Sequence, residues 1–312
     1  MNRPDEKEII RILASSLGIA ELDDVAPVTV GRQRLVFKSD MLVGSTDVPA
    51  QMEPWQVARK SIVSCASDLA AKGARPVAAM ISLGLPRGVT RSYVEGLARG
   101  FRLASGEFGV KIVGGDTNEA TGLVIDCSMI GVLKKMPPRG GAKPGDAVVV
   151  SGRFGYPASG LAMLQNGALS TGQFRRRAID SVLEPRPRQK FGTALARFFT
   201  SSIDSSDGLA TSLYEIAVQS GVDIRVDYDS ARAPGVDEFA QTNKLDAKEL
   251  VFHGGEEYEI VATVPRHLVA KATAAAKRAK LEFYVIGEVT KGAGRVRAGN
   301  SLLQNRGYAH FS

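Results

Sequence analysis

The sequence predicts an α+β protein of two domains, and three observations predict it. Helical and strand-like segments are mixed along the whole chain without a strict β–α–β alternation. At 312 residues and 44% hydrophobic, the chain exceeds what one compact core usually fills. Near its middle, residues 134–145 are dense in Pro, Gly and Lys, as linkers are. An N-terminal domain over 1–135 and a C-terminal domain over 136–312 follow, with no internal repeat and no low-complexity segment.

Residues 5–17 place Ile9, Ile12, Leu13 and Leu17 at helical spacing. Residues 35–37 and 110–113 are short apolar runs bounded by Gly or Asp and predict strands. Residues 55–71 predict a helix: positions 58, 62, 65, 66 and 69 are apolar, and Gly73 stands where a helix stops. Trp55 packs its start, and Ser61, Ser64, Asp68 and Lys72 make a polar stripe along one side. Past the linker, 147–150 reads as a buried strand, 152–155 as a turn, 157–164 and 209–219 as helices, and 257–264 as a strand.

Composition narrows the function. The formal charge of +7 suits an anionic ligand, but the basic residues are dispersed, and Arg175, Arg176 and Arg177 read as a solvated helix face. Aromatic residues are 6% with one Trp, so no stacking platform for single-stranded nucleic acid is expected. No apolar stretch has the length of a membrane helix and the first residues are charged, so a soluble, cytoplasmic protein is expected. Cys65 and Cys127, with three His in the chain, lack zinc spacing and read as buried reduced thiols.

The informative pattern is a recurrence of aspartates where apolar runs end. Asp23 and Asp24, Asp40, Asp116, and Asp204 with Asp207 in "SSIDSSDGLA" all stand beside Gly, Ser or a second Asp. Each alone is a turn or cap residue. Together they are costly, because two carboxylates about 4 Å apart repel by about 4 kcal/mol at an effective dielectric near 20. Convergence of several therefore calls for a hard cation, and without an EF-hand loop Mg²⁺ with polyphosphate fits best. No P-loop, dinucleotide fingerprint or protein-kinase motif set is present.

Nine segments in order resemble the thiamine-monophosphate kinase family, within the ATP-binding superfamily that includes aminoimidazole ribonucleotide synthetase and selenide, water dikinase. They are "LDDVAPV" (22–28), "KSDMLV" (38–43), "SDLAAKGARP" (67–76), "GGDTNEA" (114–120), "RGGAKPGD" (139–146), "SGRFGYPASGLAML" (151–164), "IDSSDGL" (203–209), "HGGEEYEIVATV" (253–264) and "GYAHF" (307–311). The resemblance implies two α+β domains, a homodimer paired through the N-terminal domains, and transfer of the γ-phosphoryl group of ATP onto thiamine monophosphate without a nucleophilic side chain. It implies several Mg²⁺ ions on Asp24, Ser39, Asp40, Asp68, Asp116, Asp204 and Asp207. Gly115, Asp116, Arg139 and Ser206 would contact ATP, and Asp47, Glu256 and Asn305 the substrate. This chain departs from the family at Leu22, at Glu257, at Asp47 where His is frequent, and near Asn305 where Trp is common. The alternatives are a superfamily enzyme with another acceptor and a non-catalytic nucleotide-binding protein. A selenide, water dikinase would need a reactive Cys near its N-terminus, and residues 1–64 contain none.

Overall fold

A computed structural model describes residues 4–19 and 22–308. The first part of the chain runs α1 (Glu6–Leu17), β1 (Ala26–Val30), β2 (Gln33–Val43), α2 (Gly44–Asp47), α3 (Pro54–Ala71), β3 (Arg75–Leu85), α4 (Arg91–Phe108), β4 (Lys111–Glu119) and β5 (Val124–Val132). The second begins with β6 (Ala147–Val150), α5 (Tyr156–Asn166), α6 (Gly172–Leu183), α7 (Gln189–Leu195), β7 (Ser201–Ser205), α8 (Leu209–Ser220) and β8 (Val222–Val226). It continues through α9 (Tyr228–Ala231), α10 (Val236–Asn243), α11 (Ala247–Phe252), β9 (Glu259–Val264), α12 (Val269–Arg278), β10 (Tyr284–Lys291), β11 (Val296–Ala298) and β12 (Ser301–Leu302).

Two mixed sheets result, one in order β1-β2-β5-β3-β4 and one in order β12-β11-β8-β10-β6-β9-β7. Among the described residues, only β3–β4 and β8–β11 pair in parallel. The fold is therefore α+β with two layered parts, as predicted. In the first part α3 and α4 cover one face of the sheet, with Val36, Leu42, Ile125, Cys127 and Met129 beneath them. Strand residues alternate between faces, so Phe37, Met41, Met80 and Val113 fall on the other side and remain exposed.

Helix α3 determines where the site lies. Pro54 opens it, Glu53 and Gln56 form a capping box, and Gly73 ends it at φ 69° with its N–H on the Ala70 carbonyl. Of its 18 residues 15 are buried, because it is wedged between the first sheet and the β7–β9 edge of the second. Its polar stripe consequently faces the protein interior. Among the described residues, no helix is long and apolar enough to cross a membrane.

Most predicted elements are present, with informative shifts. The strands read at 35–37 and 110–113 extend to Val43 and Glu119, so Ser39, Asp40, Gly115 and Asp116 lie inside strands and not at their ends. Gly115 explains one of these: a Cβ there would stand 1.7 Å from the Ile81 carbonyl oxygen, so only Gly lets β4 approach β3. The strand read at 257–264 starts at Glu259, since Glu256 and Tyr258 adopt positive φ values of 67° and 51°. Residues 134–145 are a packed connection: Gly140 and Gly141 press against the Gln219 and Thr200 carbonyls. Cys65 and Cys127 are buried and free, and Arg175, Arg176 and Arg177 are exposed on α6. Ala309, His310 and Phe311 of the "GYAHF" motif lie outside the described residues.

Candidate metal and phosphate site

The densest functional geometry forms where α3, β7 and the segment before β1 meet. Asp68 projects from α3, Asp204 from the end of β7, and Asp24 precedes β1; one carboxylate oxygen from each lies within 4.8 Å of the others. All three are buried. The meeting is held by backbone contacts, with Ser202 Oγ donating to the Ala71 carbonyl at 2.7 Å and Lys72 Nζ to the Ser202 carbonyl at 2.5 Å. The serine-rich stretch thus divides its labour: β7 carries Asp204 inward, and Gly208 at φ 108° turns the chain into α8 while leaving Ser206 and Asp207 exposed at the mouth.

Positive charge is distributed unevenly around these carboxylates. Lys72 Nζ stands 2.6 Å from Asp23 Oδ1 and 3.0 Å from Asp24 Oδ2, and Arg139 pairs with Asp24 from the other side. Burial alone would raise the Asp24 carboxyl, but Lys72 and Arg139 hold it below its ordinary value. Lys38 Nζ lies 2.8 Å from Asp68 Oδ2 and 3.8 Å from Asp40 Oδ2. Burial, only partly offset by Lys38, raises Asp68 to about 6. Burial and the Asp68 and Asp24 charges push Asp204 well above the carboxylate range, and burial raises Asp40 as well. The donor set is hard oxygen, and Asp204, among the described residues, has no cation within ion-pair distance, a combination that fits a divalent cation of the Mg²⁺ type.

The structure does not gather every predicted ligand. Ser39 and Asp116 belong to the opposite, open face of the first sheet: Ser39 Oγ bonds Asp126 Oδ1 at 2.7 Å and Ser128 Oγ at 2.9 Å, away from α3. The alternation that turns Lys38 and Asp40 toward the cluster turns Ser39 outward, and Asp116 follows the same rule beside Gly115. Strands β5 and β3 also separate β2 from β4. A single chain therefore brings Asp24, Asp68 and Asp204 together, with Asp40 beside them, and leaves Ser39 and Asp116 outside that group.

A second group gathers beside Ser206 and Asp207. Asp47 caps its short helix, Oδ2 accepting the Val43 N–H at 2.7 Å, as a turn residue would. The Lys60 ammonium, 2% exposed, bonds the Asp47 carbonyl at 2.6 Å and pairs with Glu256. Glu256 N–H bonds the Ser206 carbonyl at 2.5 Å. Tyr308 N–H bonds the Asp207 carbonyl at 3.2 Å, and burial first, then the charges of Asp47, Glu256 and Asp207, raises its phenol pKa. Asn305 is exposed and three residues distant from this group's tyrosine.

Sequence reasoning missed Lys38, Lys60 and Tyr308 as site residues, and Lys72 as anything beyond part of a stripe. Lysines inside helices and strands ordinarily extend to water, so residue type gives no signal of burial. The available hint was position: Lys38 directly precedes Ser39-Asp40, and Tyr308 lies in the "GYAHF" motif. A separate cavity of about 810 Å³ in the C-terminal part, lined by Arg153, Arg188, Glu257 and Tyr284, contains none of the cluster.

The chain matches the family model of AIR synthase related protein, N-terminal domain, over residues 22–133, and that of the C-terminal domain over 143–299. It is 40% identical to a thiamine-monophosphate kinase of Nitrosopumilus maritimus across 100% of both chains. It is 35% identical to that of Pyrococcus horikoshii, across 94% of this chain and 91% of the relative. Among solved structures it superposes on "AaThiL complexed with AMPPCP and TMP" with a TM-score of 0.91 and 26% identity, covering 100% of this chain and 99% of the other.

Proposed function

The chain belongs to the thiamine-monophosphate kinases of the AIR synthase related family, and from that premise we propose how its site works. It transfers the γ-phosphoryl group of ATP to thiamine monophosphate, giving thiamine diphosphate and ADP. The observation that carries the reading is the buried Asp24–Asp68–Asp204 group standing beside an acidic and aromatic approach.

The acceptor is a phosphate that is already a nucleophile, so the chain needs no side chain to take a proton from it. Its task is to bring two anions together in line. Asp24, Asp68 and Asp204, flanked by Asp40 and Asp207, would hold Mg²⁺. When bound, that metal neutralises phosphate oxygens on both reactants. Arg139, which pairs with Asp24, would contact an ATP phosphate at the same edge. Ser206 and Asp207, exposed at the start of α8, face the same entrance. Asp47, Glu256 and Tyr308 offer two carboxylates and an aromatic ring, which favour a cationic heterocycle such as thiazolium. Asn305 lies on the same terminal segment.

Purified protein incubated with ATP, Mg²⁺ and thiamine monophosphate should yield thiamine diphosphate, and none with chelator or with free thiamine as acceptor. ATP binding without that product would remove the acceptor and leave the nucleotide site.

The open face of the first sheet and the placement of Ser39 and Asp116 support a homodimer. Three strand spacings of about 4.8 Å separate β2 from β4, roughly 14 Å, whereas two oxygens on one Mg²⁺ lie about 4 Å apart at most. Ser39 and Asp116 can act on one ion only if Asp116 comes from a second copy. The apolar residues Phe37, Met41, Met80 and Val113 would be covered by the same pairing. Sedimentation should give twice the mass of one chain; a monomer at working concentration would sink this part. The division at residue 135 and a cytoplasmic location belong to the same reading.

A further inference from the structure

Lys38 is unusual among the site's cations. Lys72 and Arg139 both stand at the Asp23–Asp24 end, whereas the Lys38 ammonium lies between Asp68 and Asp40, on the side where Asp204, among the described residues, has no cation within ion-pair distance. We propose that Lys38 is a fixed counterion that takes the place of one divalent cation, so that this chain binds nucleotide with one metal ion fewer than its carboxylates alone would demand. The inference rests on the kinase reading above for the identity of the nucleotide.

The geometry gives three reasons. First, Lys38 and Asp40 are two apart in β2 and so share the face that looks at α3. The ammonium is anchored to the same strand as one of its carboxylates, and unlike a free ion it loses no translational entropy when the site forms. Secondly, the strand around it is packed: Val36 and Leu42, the neighbours on the same face, are buried, which restrains the lysine stem. Thirdly, the charges are short by at least one without it. Asp23, Asp24, Asp40, Asp68 and Asp204 carry five negative charges when ionised, and Lys72 and Arg139 supply two positive ones, both at the Asp23–Asp24 end. A single charge at 2.8 Å from Asp68 neutralises less than Mg²⁺ at about 2.1 Å, so Asp204 is left for a true metal.

The test measures metal uptake on nucleotide binding. Affinity for AMPPCP is measured by calorimetry over a range of free Mg²⁺ high enough that the nucleotide is already Mg²⁺-bound. The slope of log affinity against log free Mg²⁺ then counts the additional ions taken up. In Lys38→Met the slope should rise by about one, so that each tenfold increase in Mg²⁺ improves binding about tenfold more than in the wild type. Lys38→Arg should keep the wild-type slope, because the charge is retained. An unchanged slope in Lys38→Met, with affinity simply lower, would overturn the proposal and make Lys38 a direct phosphate ligand; absence of binding at every Mg²⁺ concentration would do the same. Should Lys38→Met fail to fold, Lys38→Thr gives the same readout, and a raised slope in Lys38→Arg would alone refute the idea. The kinase reading fails separately, if the wild type makes no thiamine diphosphate while its AMPPCP slope is still measurable.

Discussion

Replacing Asp204 by Asn should lower kcat by about three orders of magnitude or more while making the metal-free protein more stable at neutral pH. The loss of turnover follows from position: Asp204 is a buried member of the three-carboxylate group and, among the described residues, has no cation within ion-pair distance. The gain in stability follows from the same fact. Burial and the neighbouring Asp68 and Asp24 charges raise its pKa well above the ordinary value of 3.8. A carboxyl whose pKa is raised by folding holds its proton more tightly in the folded chain. Metal-free stability therefore declines as pH rises from the unfolded pKa toward the folded one. Asp68, raised to about 6, adds to the decline between about pH 4 and 6. Asn resembles the protonated acid and removes the Asp204 share of it. Wild type and variant should thus melt alike near pH 4 and diverge, in favour of the variant, toward pH 8. Thermal denaturation in chelator across that range is the measurement. Turnover within about tenfold of wild type, or a metal-free variant that melts far below wild type at neutral pH, would show Asp204 to be a structural residue.

Lys72→Met should destabilise the fold by about 3–5 kcal/mol, a fall in Tm on the order of 10 °C for a chain of this size. Lys72 is fully buried, and its ammonium is shared among Asp23, Asp24 and the Ser202 carbonyl. Its removal leaves Asp24 with Arg139 alone and the Ser202 carbonyl without its donor, and a buried charge stripped of its partner costs far more than an exposed one. The control is the exposed Lys7–Glu215 pair, 3.5 Å long with the lysine side chain 67% exposed, where Lys7→Met should change stability by less than about 1 kcal/mol. Urea titrations of both variants make the comparison. A Lys72→Met protein within about 1 kcal/mol of wild type would mean that the end of α3 is held by packing alone, without the ion network.

The arrangement also explains why the two changes act in opposite directions on stability. Asp24 is a carboxylate flanked by two cations, and Asp204, among the described residues, is one with none within ion-pair distance. Removing charge at the first site unbalances a neutralised group, whereas removing it at the second relieves repulsion that only bound metal would otherwise offset. One end of the site is built to fold, the other to bind.

By itself the sequence determined the α+β class, the course of α3, the buried strand β6 and the helix α8, because these depend on local periodicity and on stop signals such as Gly73. It also marked Asp24, Asp40, Asp68, Asp116, Asp204 and Asp207 alike as candidate ligands, through motifs whose order along the chain is distinctive. Only the tertiary structure decided which aspartates meet. Alternation along β2 and β4 sends Asp40 inward and Ser39 and Asp116 outward, a matter of strand register and sheet order that no local pattern in "KSDMLV" or "GGDTNEA" reveals. The same holds for Lys38, Lys60 and Lys72. A lysine in a helix or strand carries no mark of burial, and its partner lies elsewhere in the chain: Lys72 meets a carbonyl 130 residues away and Lys60 a carboxylate 196 away. Periodicity operates over a few residues, whereas compensation of charge depends on which distant segments the packing brings into contact.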